Sequence, residues 1–283
     1  MISQNPITVD DPAIREFAYQ RHTVEAAGDT RPALWRTAGR SLRPRIRHPV
    51  VAAGRELAVL LALYLFYRTG RLVIASHEMI AMNNAARMHT WEAWLHLPSE
   101  ALIQANLGSE TLFRMANVYY VTVHFPMMIT FLLVGYLLRP GPDYRWARNL
   151  IVVQTGLALL INLLFPLAPP RMFPQWGFLD TMTTYGPSAY TGATASVANQ
   201  FAAMPSLHVG WAVAIAYVVA RTGPRWLAIP AGIHALVTIA VVIVTANHWW
   251  LDGVVAVALL GLALIIFPEP GTVRTPGRIP QRR

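Results

Sequence analysis

Three short stretches of this 283-residue sequence hold residue types that commonly take part in catalysis. They are Pro169-Pro170-Arg171, Ala203-Met204-Pro205-Ser206-Leu207-His208 and Asn247-His248-Trp249-Trp250-Leu251-Asp252. His248 and Asp252 are four positions apart, so they share one face if a helix begins near Asn247. A carboxylate on one imidazole nitrogen fixes the tautomer and raises the basicity of the other nitrogen. The third stretch therefore predicts a nucleophile, His248, oriented by Asp252.

The second stretch has the pattern of a helix start. Pro205 suits the first turn, whose free amides would join the Ser206 hydroxyl in an anion site at the positive end of the helix dipole. His208 lies one turn further on, where it can protonate a leaving oxygen. Arg171 offers paired donors for phosphate oxygens. We therefore predict phosphoryl transfer, with His248, His208 and Asp252 catalytic and with Arg171 and Ser206 binding phosphate.

The elements that position these residues are predicted to be membrane helices. Hydrophobic residues make up 54% of the chain and charged residues 13%, well below the roughly 25% charge of soluble domains. A spanning helix needs about 20 apolar residues. Six segments qualify: 56–75, 116–138, 149–168, 204–220, 226–246 and 250–267. The predicted fold is all-α, a six-transmembrane helical bundle with an outer interfacial helical segment over 77–115 and a long outer loop over 169–203.

The positions of the 23 cationic residues, all Arg, predict the orientation of the bundle. With the N-terminus inside, 18 of the 23 fall on the cytoplasmic side: nine before residue 56, then Arg139, Arg145, Arg148, Arg221, Arg225, Arg274, Arg278, Arg282 and Arg283. Both termini are therefore predicted to be cytoplasmic, and the three stretches to meet at the outer face of a bacterial plasma membrane. The predicted domains are an Arg-rich tail (1–55), a catalytic membrane domain (56–267) and a basic tail (268–283).

The composition also argues against several classes of protein. Without cysteine there is no disulfide framework and no thiolate metal site. The sequence pI is near 10.4, but the Arg residues flank apolar segments, which favours an anionic membrane surface over nucleic acid as the partner. No removable signal peptide is recognised at the N-terminus. We predict no metal and no other cofactor, and the sequence does not indicate an oligomeric state.

The three stretches together resemble the type-2 phosphatidic acid phosphatase superfamily, which includes lipid phosphate phosphatases and vanadium haloperoxidases. The resemblance lies in Met-Pro-Ser-Leu-His, in the His-x-x-x-Asp that follows about 40 residues later, and in the Arg after a Pro-Pro pair, and it covers roughly residues 55–267. The Ala-Pro-Pro-Arg stretch and the long outer loop look most like the inositol phosphorylceramide synthase branch. The resemblance implies a phosphohistidine at His248, orientation by Asp252, acid and base work by His208, and phosphate binding by Arg171 and Ser206.

Two positions depart from the phosphatase pattern. Val242 stands where the family places an Arg before the nucleophile, and Leu164 stands where it places a Lys before the first-motif Arg. Arg71, Arg68 and Arg114, all predicted near the outer face, are the candidates to complete the cationic clamp, and we include Arg71 among the predicted phosphate-binding residues. The two departures favour the transferase branch.

The predicted activity is that of a phosphotransferase or phosphatase on a lipid phosphate, phosphodiester or diphosphate, with transfer to a polyol or other alcohol favoured. The alternatives are a plain lipid phosphate or polyprenyl diphosphate phosphatase, and a non-catalytic lipid-binding membrane protein. Vanadate-dependent peroxidase chemistry is the least favoured, because the outer-leaflet setting indicates a lipid substrate.

Several other residues have ordinary structural interpretations beside functional ones. His124 and His234 lie within predicted spans and are equally compatible with simple packing. Spacing would allow His89, Glu92 and His96 to bind a metal, but such triplets also arise by chance on polar helix faces. Trp249 and Trp250 are predicted to be interfacial aromatics. Asp180, Trp176, Tyr185 and Tyr190 are weak candidates for a polyol pocket.

Overall fold

The computed structural model describes residues 49–74, 77–190 and 200–270, with backbone alone for 49, 50, 52 and 71–74. Chain contacts separate residues 1–45 from residues 46–283, and the described residues all belong to the second unit. The elements described there are helices, and the only bridge between extended segments is the isolated one from Leu167 to Ala202. The predicted all-α class is confirmed.

The α-helices are α1 (Pro49–Ile74), α2 (Glu78–Trp94), α3 (Glu100–Leu107), α4 (Glu110–Thr122), α5 (His124–Leu138), α6 (Pro142–Leu164), α7 (Thr181–Tyr185), α8 (Leu207–Thr222), α9 (Arg225–Val244) and α10 (Trp250–Ile266).

Each of the six predicted apolar segments overlaps a helix. Helix α1 starts at Pro49, earlier than the predicted start at 56. The segment predicted over 116–138 contains α4 and α5, which meet at Val123. Local chemistry explains several starts, because Ser109 caps α4 through the amide of Leu112, and Pro142 occupies the first turn of α6.

Three described segments are long and apolar enough to cross a membrane. They are Glu110–Leu138, Pro142–Leu164 and Arg225–Val244. Helices α8 and α10 are also apolar but have 16 and 17 residues, below the usual spanning length. Large apolar side chains such as Leu133 and Leu236 are exposed, as expected for helices that face lipid. The chain is therefore a helical membrane protein.

The predicted interfacial segment over 77–115 is more buried than a surface helix would be. Ala81, Asn84 and Met88 form a buried face on α2. The Asn84 amide donates to the carbonyl of Pro166 at 2.9 Å, and the Ala81 carbonyl accepts from the amide of Ala168 at 3.2 Å. The expectation of a surface position is wrong for this face, because it packs against the loop that leads to Arg171.

Trp249 lies at the centre of the apolar cluster beneath this loop. Its side chain is 1% exposed, and its indole nitrogen donates to the carbonyl of Ala168 at 3.0 Å. The cluster also includes Phe173, Phe178 and Met204. The prediction of an interfacial Trp249 is therefore wrong, since the indole packs inside the protein and supports the loops around it.

Candidate active site

Backbone hydrogen bonds join the three stretches that the sequence singled out. The amide of Ser206 donates to the carbonyl of Asp252 at 3.1 Å, which ties the second stretch to the third. The amide of Arg171 donates to the carbonyl of Ala246 at 2.9 Å, which ties the first stretch to the residues just before His248. Residues separated by up to 81 positions thus form one site.

His248 is buried, with 5% of its surface exposed, and it precedes a helix rather than lying within one. Helix α10 begins at Trp250, as in the predicted segment 250–267, so His248 lies just before the helix and not in its first turn. The spacing nevertheless brings the side chains together, because Asp252 lies in the first turn of α10 and reaches back. His248 Nδ1 lies 3.3 Å from Asp252 Oδ2 and 2.8 Å from the carbonyl oxygen of Ala203.

These contacts determine the tautomer of a neutral His248. A carbonyl oxygen accepts hydrogen bonds and cannot donate them, so Nδ1 must carry the proton that faces Ala203. The lone pair of the neutral ring then resides on Nε2. The site therefore presents the arrangement that a nucleophilic imidazole needs, with one nitrogen held by acceptors and the other bearing the lone pair.

Two carboxylates that sequence reasoning did not assign to the site cap the start of α10. Glu100 Oε1 accepts from the amide of Trp250 at 3.3 Å, and Glu92 Oε1 accepts from the amide of Leu251 at 2.8 Å. Asp252 Oδ2 accepts from the amide of Trp249 at 2.8 Å. Three acidic residues therefore bind three consecutive amides beside His248.

Glu92 and Glu100 also contact each other, and their ionisation is perturbed. Burial raises the pKa of Glu92 from 4.5 to about 9, and the nearby carboxylates of Glu100 and Asp252 add to this shift. Burial also raises the pKa of Glu100, while its hydrogen bond with Glu92 acts in the opposite direction. At neutral pH Glu92 is therefore protonated. In the sequence, Glu92 and Glu100 are two acidic residues in a segment that mixes apolar and polar residues. This pattern is too common to predict that either residue lies at the site.

Arg171 is the cation of the site and is 7% exposed. Its Nε donates to Asn247 Oδ1 at 3.1 Å, and its Nη1 lies 3.3 Å from Asp180 Oδ2. The guanidinium carbon lies 3.9 Å from the centroid of the Tyr190 ring, a cation–π contact. Tyr190 also donates to Asn247 Oδ1 at 3.2 Å. Asn247 lay within a recognised stretch but had no predicted role, because its function is visible only in these contacts.

Ser206 is fully buried and forms the cap of α8. Its hydroxyl oxygen accepts from the amide of Val209 at 3.3 Å. Helix α8 begins at Leu207, so Pro205 precedes the cap, and the expectation of Pro205 in the first turn is wrong. The positive end of α8 still lies at the site, as the bond from Ser206 to Asp252 shows.

His208 is the second residue of α8 and lies between aromatic rings. Its ring centroid is 4.1 Å from that of Tyr120, 4.2 Å from that of His124 and 5.5 Å from that of His248. His124 also stacks on Trp211 at 5.3 Å. His208 Nε2 and both ring nitrogens of His124 are buried, and none of them has a hydrogen-bond partner among the described residues. His124 therefore packs against the site through its ring, a role that its sequence position alone did not reveal.

The remaining predicted cations are not brought into the described site. Arg71 lies in the last turn of α1, and its side chain is outside the described residues. Arg114 is exposed and pairs with Glu110 on its own helix.

Of the two departures from the family pattern, Val242 is 1% exposed within the core and Leu164 is 73% exposed. Neither supplies a polar substitute for the expected cation.

The other histidines of interest make aromatic or side-chain contacts. His89 stacks on Trp176 with centroids 4.6 Å apart. The described residues contain no group of three or more His, Cys, Asp or Glu side chains placed to hold a metal ion, and Glu92 caps α10 instead. The hydroxyl of Tyr119 lies 2.6 Å from His234 Nδ1, so His234 packs by an interhelical hydrogen bond.

The fold is that of a helical membrane protein, and its described site holds two histidines with ring centroids 5.5 Å apart. Residues 86–266 match the PAP2 superfamily, the type-2 phosphatidic acid phosphatases, and the match covers more than half of the chain. The chain belongs to this superfamily, which confirms the predicted superfamily but does not resolve its branches. Comparison with curated proteins and with solved structures returned no match.

Proposed function

We propose that the protein cleaves a phosphorus–oxygen bond of a membrane lipid through a covalent phosphohistidine at His248. The observation that carries this proposal is the position of His248 Nδ1 beside the carbonyl of Ala203 and the carboxylate of Asp252, from which we infer a proton on Nδ1 and a lone pair on Nε2. The membership in a superfamily of phosphatases supports the reaction class.

The proposed first step forms a nitrogen–phosphorus bond and releases the lipid group. Nε2 of His248 attacks phosphorus, and the bond to the leaving oxygen breaks as a protonated His208 supplies its proton. Arg171 and the start of α8 bind the phosphate oxygens and stabilise the charge that develops on them. In the second step His208 takes the proton of an incoming hydroxyl, whose oxygen displaces His248 from phosphorus.

The acceptor in the second step is proposed to be an alcohol, such as a polyol, rather than water. A phosphomonoester dianion gains from a dense cationic clamp, whereas a phosphodiester carries a single charge and needs fewer cations. Val242 and Leu164 stand where the family pattern has cations, and the described site contains Arg171. The outer loop with Tyr190 beside Arg171 also favours the inositol phosphorylceramide synthase branch, in which an alcohol must be held while water is excluded.

The proposed topology has six spans, cytoplasmic termini and a site at the outer face of a bacterial plasma membrane. Six apolar helical segments support the count, namely α1, α4 with α5, α6, α8, α9 and α10. The asymmetry of Arg supports the orientation. The proposed domain bounds remain 1–55, 56–267 and 268–283.

Two other functions make different demands on the same site. A plain lipid phosphate or polyprenyl diphosphate phosphatase would use the same residues with water as the acceptor. A non-catalytic lipid-binding protein would use the histidines only for packing. Buried polar atoms without partners among the described residues, on His208 and Arg171, favour a site that receives a ligand over one built for packing.

The fate of phosphorus in a labelled donor lipid separates these functions. We expect purified protein in micelles to move the label from a donor lipid to an added alcohol, and His248→Ala to fall below about one hundredth of wild-type turnover while remaining folded. Release of free phosphate at the same rate with or without any alcohol would replace transfer by hydrolysis. Turnover by His248→Ala above that level would overturn the assignment of the nucleophile.

A further inference from the structure

The hydrogen-bonding capacity of Arg171 is already partly used by the protein. A guanidinium has five N–H donors. Nε donates to Asn247, and Nη1 faces Asp180 at 3.3 Å. Nη2 is buried and has no partner among the described residues. Since the ring of Tyr190 covers one face of the guanidinium, a phosphate can reach Arg171 chiefly through Nη2 and the remaining hydrogen of Nη1.

Asp180 is placed to counter the charge of Arg171. Its side chain is 27% exposed, whereas that of Arg171 is 6% exposed, so the carboxylate lies on the more open side of the pair. The remaining contacts of Asp180 are local, because it accepts from the amide of Thr183 at 3.0 Å and from the hydroxyl of Thr183 at 2.9 Å. A phosphate that binds Nη2 must therefore approach a carboxylate as well as a cation.

We propose that Asp180 selects the charge of the donor lipid, and that it disfavours phosphomonoester dianions relative to phosphodiester monoanions. This inference rests on the proposed function, because it takes Arg171 to be the phosphate-binding cation. The ion pair of Asp180 and Arg171 has no net charge, so the second negative charge of a dianion meets repulsion without a matching attraction. A phosphodiester lacks that second charge and can still use the free donors of Nη2.

A purely structural role for Asp180 is the competing explanation, since it caps α7. The substitution Asp180→Asn separates the two roles, because Asn is as good a helix cap as Asp but carries no charge. Asp180→Glu provides the converse control, since it keeps the charge and weakens the cap. Asp143→Asn removes the same charge from an exposed position in the first turn of α6 and serves as the matched control.

The test compares two short-chain lipids with the same acyl groups, phosphatidic acid as the monoester and phosphatidylglycerol as the diester. We expect Asp180→Asn to raise kcat/KM for the monoester relative to the diester at least tenfold, mainly through a lower KM for the monoester. Asp180→Glu should keep the wild-type ratio, and Asp143→Asn should leave it unchanged. An unchanged ratio in folded Asp180→Asn would overturn the proposal.

Binding of the same two lipids, measured in a His248→Ala background, distinguishes this inference from the proposed function. We expect Asp180→Asn to shift the ratio of their dissociation constants tenfold or more towards the monoester, whether or not turnover occurs. If Asp180→Asn shifts the binding ratio but the wild-type protein shows no turnover, the proposed chemistry is contradicted and the proposal that Asp180 selects the lipid charge is kept. If the wild-type protein turns over normally but Asp180→Asn leaves the ratio of dissociation constants unshifted, the chemistry is kept and the proposal that Asp180 selects the lipid charge is rejected.

Discussion

Two helices begin at the site, and their first turns are capped by opposite chemistry. At the start of α8 the cap is a neutral hydroxyl, since Ser206 accepts from Val209. No acceptor among the described residues binds the amides of Leu207 and His208. The first turn of α8 therefore keeps both free donors and the positive end of its dipole.

At the start of α10 carboxylates occupy the corresponding donors. Asp252, Glu100 and Glu92 bind the amides of Trp249, Trp250 and Leu251 in turn. These acids occupy the three amides at the helix end, so a phosphate cannot bind those donors.

The difference indicates a division of labour between the two helix starts. Under the proposed function, the start of α8 would receive the anionic substrate, whereas the capped start of α10 would not. The proposed nucleophile must lie close to the phosphate site. The helix that follows the nucleophile must not bind the phosphate in a wrong position.

The largest expected effect comes from placing a carboxylate at the open start of α8. Ser206→Asp keeps a good helix cap but fills the anion site with negative charge, so we expect turnover to fall at least 100-fold. Ser206→Asn is the matched control, because it has nearly the same size and cap quality without the charge, and we expect a loss below about tenfold. Steady-state kinetics in micelles, with thermal unfolding to check folding, measure both. Equal losses in the two variants would show that α8 does not bind the phosphate.

A smaller effect on turnover is expected from a change at Asp252, which contacts His248. Asp252→Asn keeps the side-chain shape but removes the charge proposed to orient and activate His248, so we expect turnover to fall about 10- to 100-fold, the range seen when carboxylate partners of metal-binding histidines are replaced. The loss should be less than in His248→Ala, since the imidazole remains. A fully active Asp252→Asn protein would show that the contact at 3.3 Å has no role in the reaction.

The smallest expected effect concerns Glu92 and is seen in stability. Glu92→Ala leaves the amide of Leu251 without its acceptor and should lower the free energy of unfolding by about 1–3 kcal/mol. Glu92→Gln imitates the protonated side chain, since it is neutral and still accepts from the amide of Leu251, and it should be close to wild type at neutral pH. Thermal unfolding in detergent measures both variants.

The same residue predicts a dependence of stability on pH. The pKa of Glu92 is raised to about 9 in the folded protein, so the folded state binds more protons than the unfolded state between the ordinary value of 4.5 and about 9. This contribution to stability is therefore present below pH 4.5 and is lost as the pH rises through 9. Glu92→Gln should flatten the decline in melting temperature between pH 5 and 9, and an unchanged slope would show that Glu92 does not titrate in this range.

Much of the fold was predictable because its elements depend on local composition. Apolar runs of sufficient length form helices in a membrane whatever their partners. The pairing of His248 with Asp252 was also predictable, since four positions bring side chains together both within a helix and across its first turn. The start of α10 at Trp250 agrees with the predicted segment 250–267, but the capping of this start was not predictable, because it depends on acids supplied by α2 and α3.

The parts of the site that sequence reasoning missed come from distant contacts. Glu92 and Leu251 are 159 positions apart, and no local pattern links them. Asp180 was considered for a polyol pocket, but its charge pairs with Arg171 instead. Trp249 stands at the end of an apolar segment, where an interfacial aromatic residue is expected. It is buried because α2 packs over the loop beside it.

The most direct test of the proposed chemistry is a search for the covalent intermediate. Protein mixed with a donor lipid that carries labelled phosphorus is quenched in alkali, which preserves phosphohistidine, and is then digested and mapped. We expect the label on the peptide that contains His248, its loss in acid, and its absence in His248→Ala. Label on another residue, or full turnover with no label on His248, would contradict a phosphohistidine at this position.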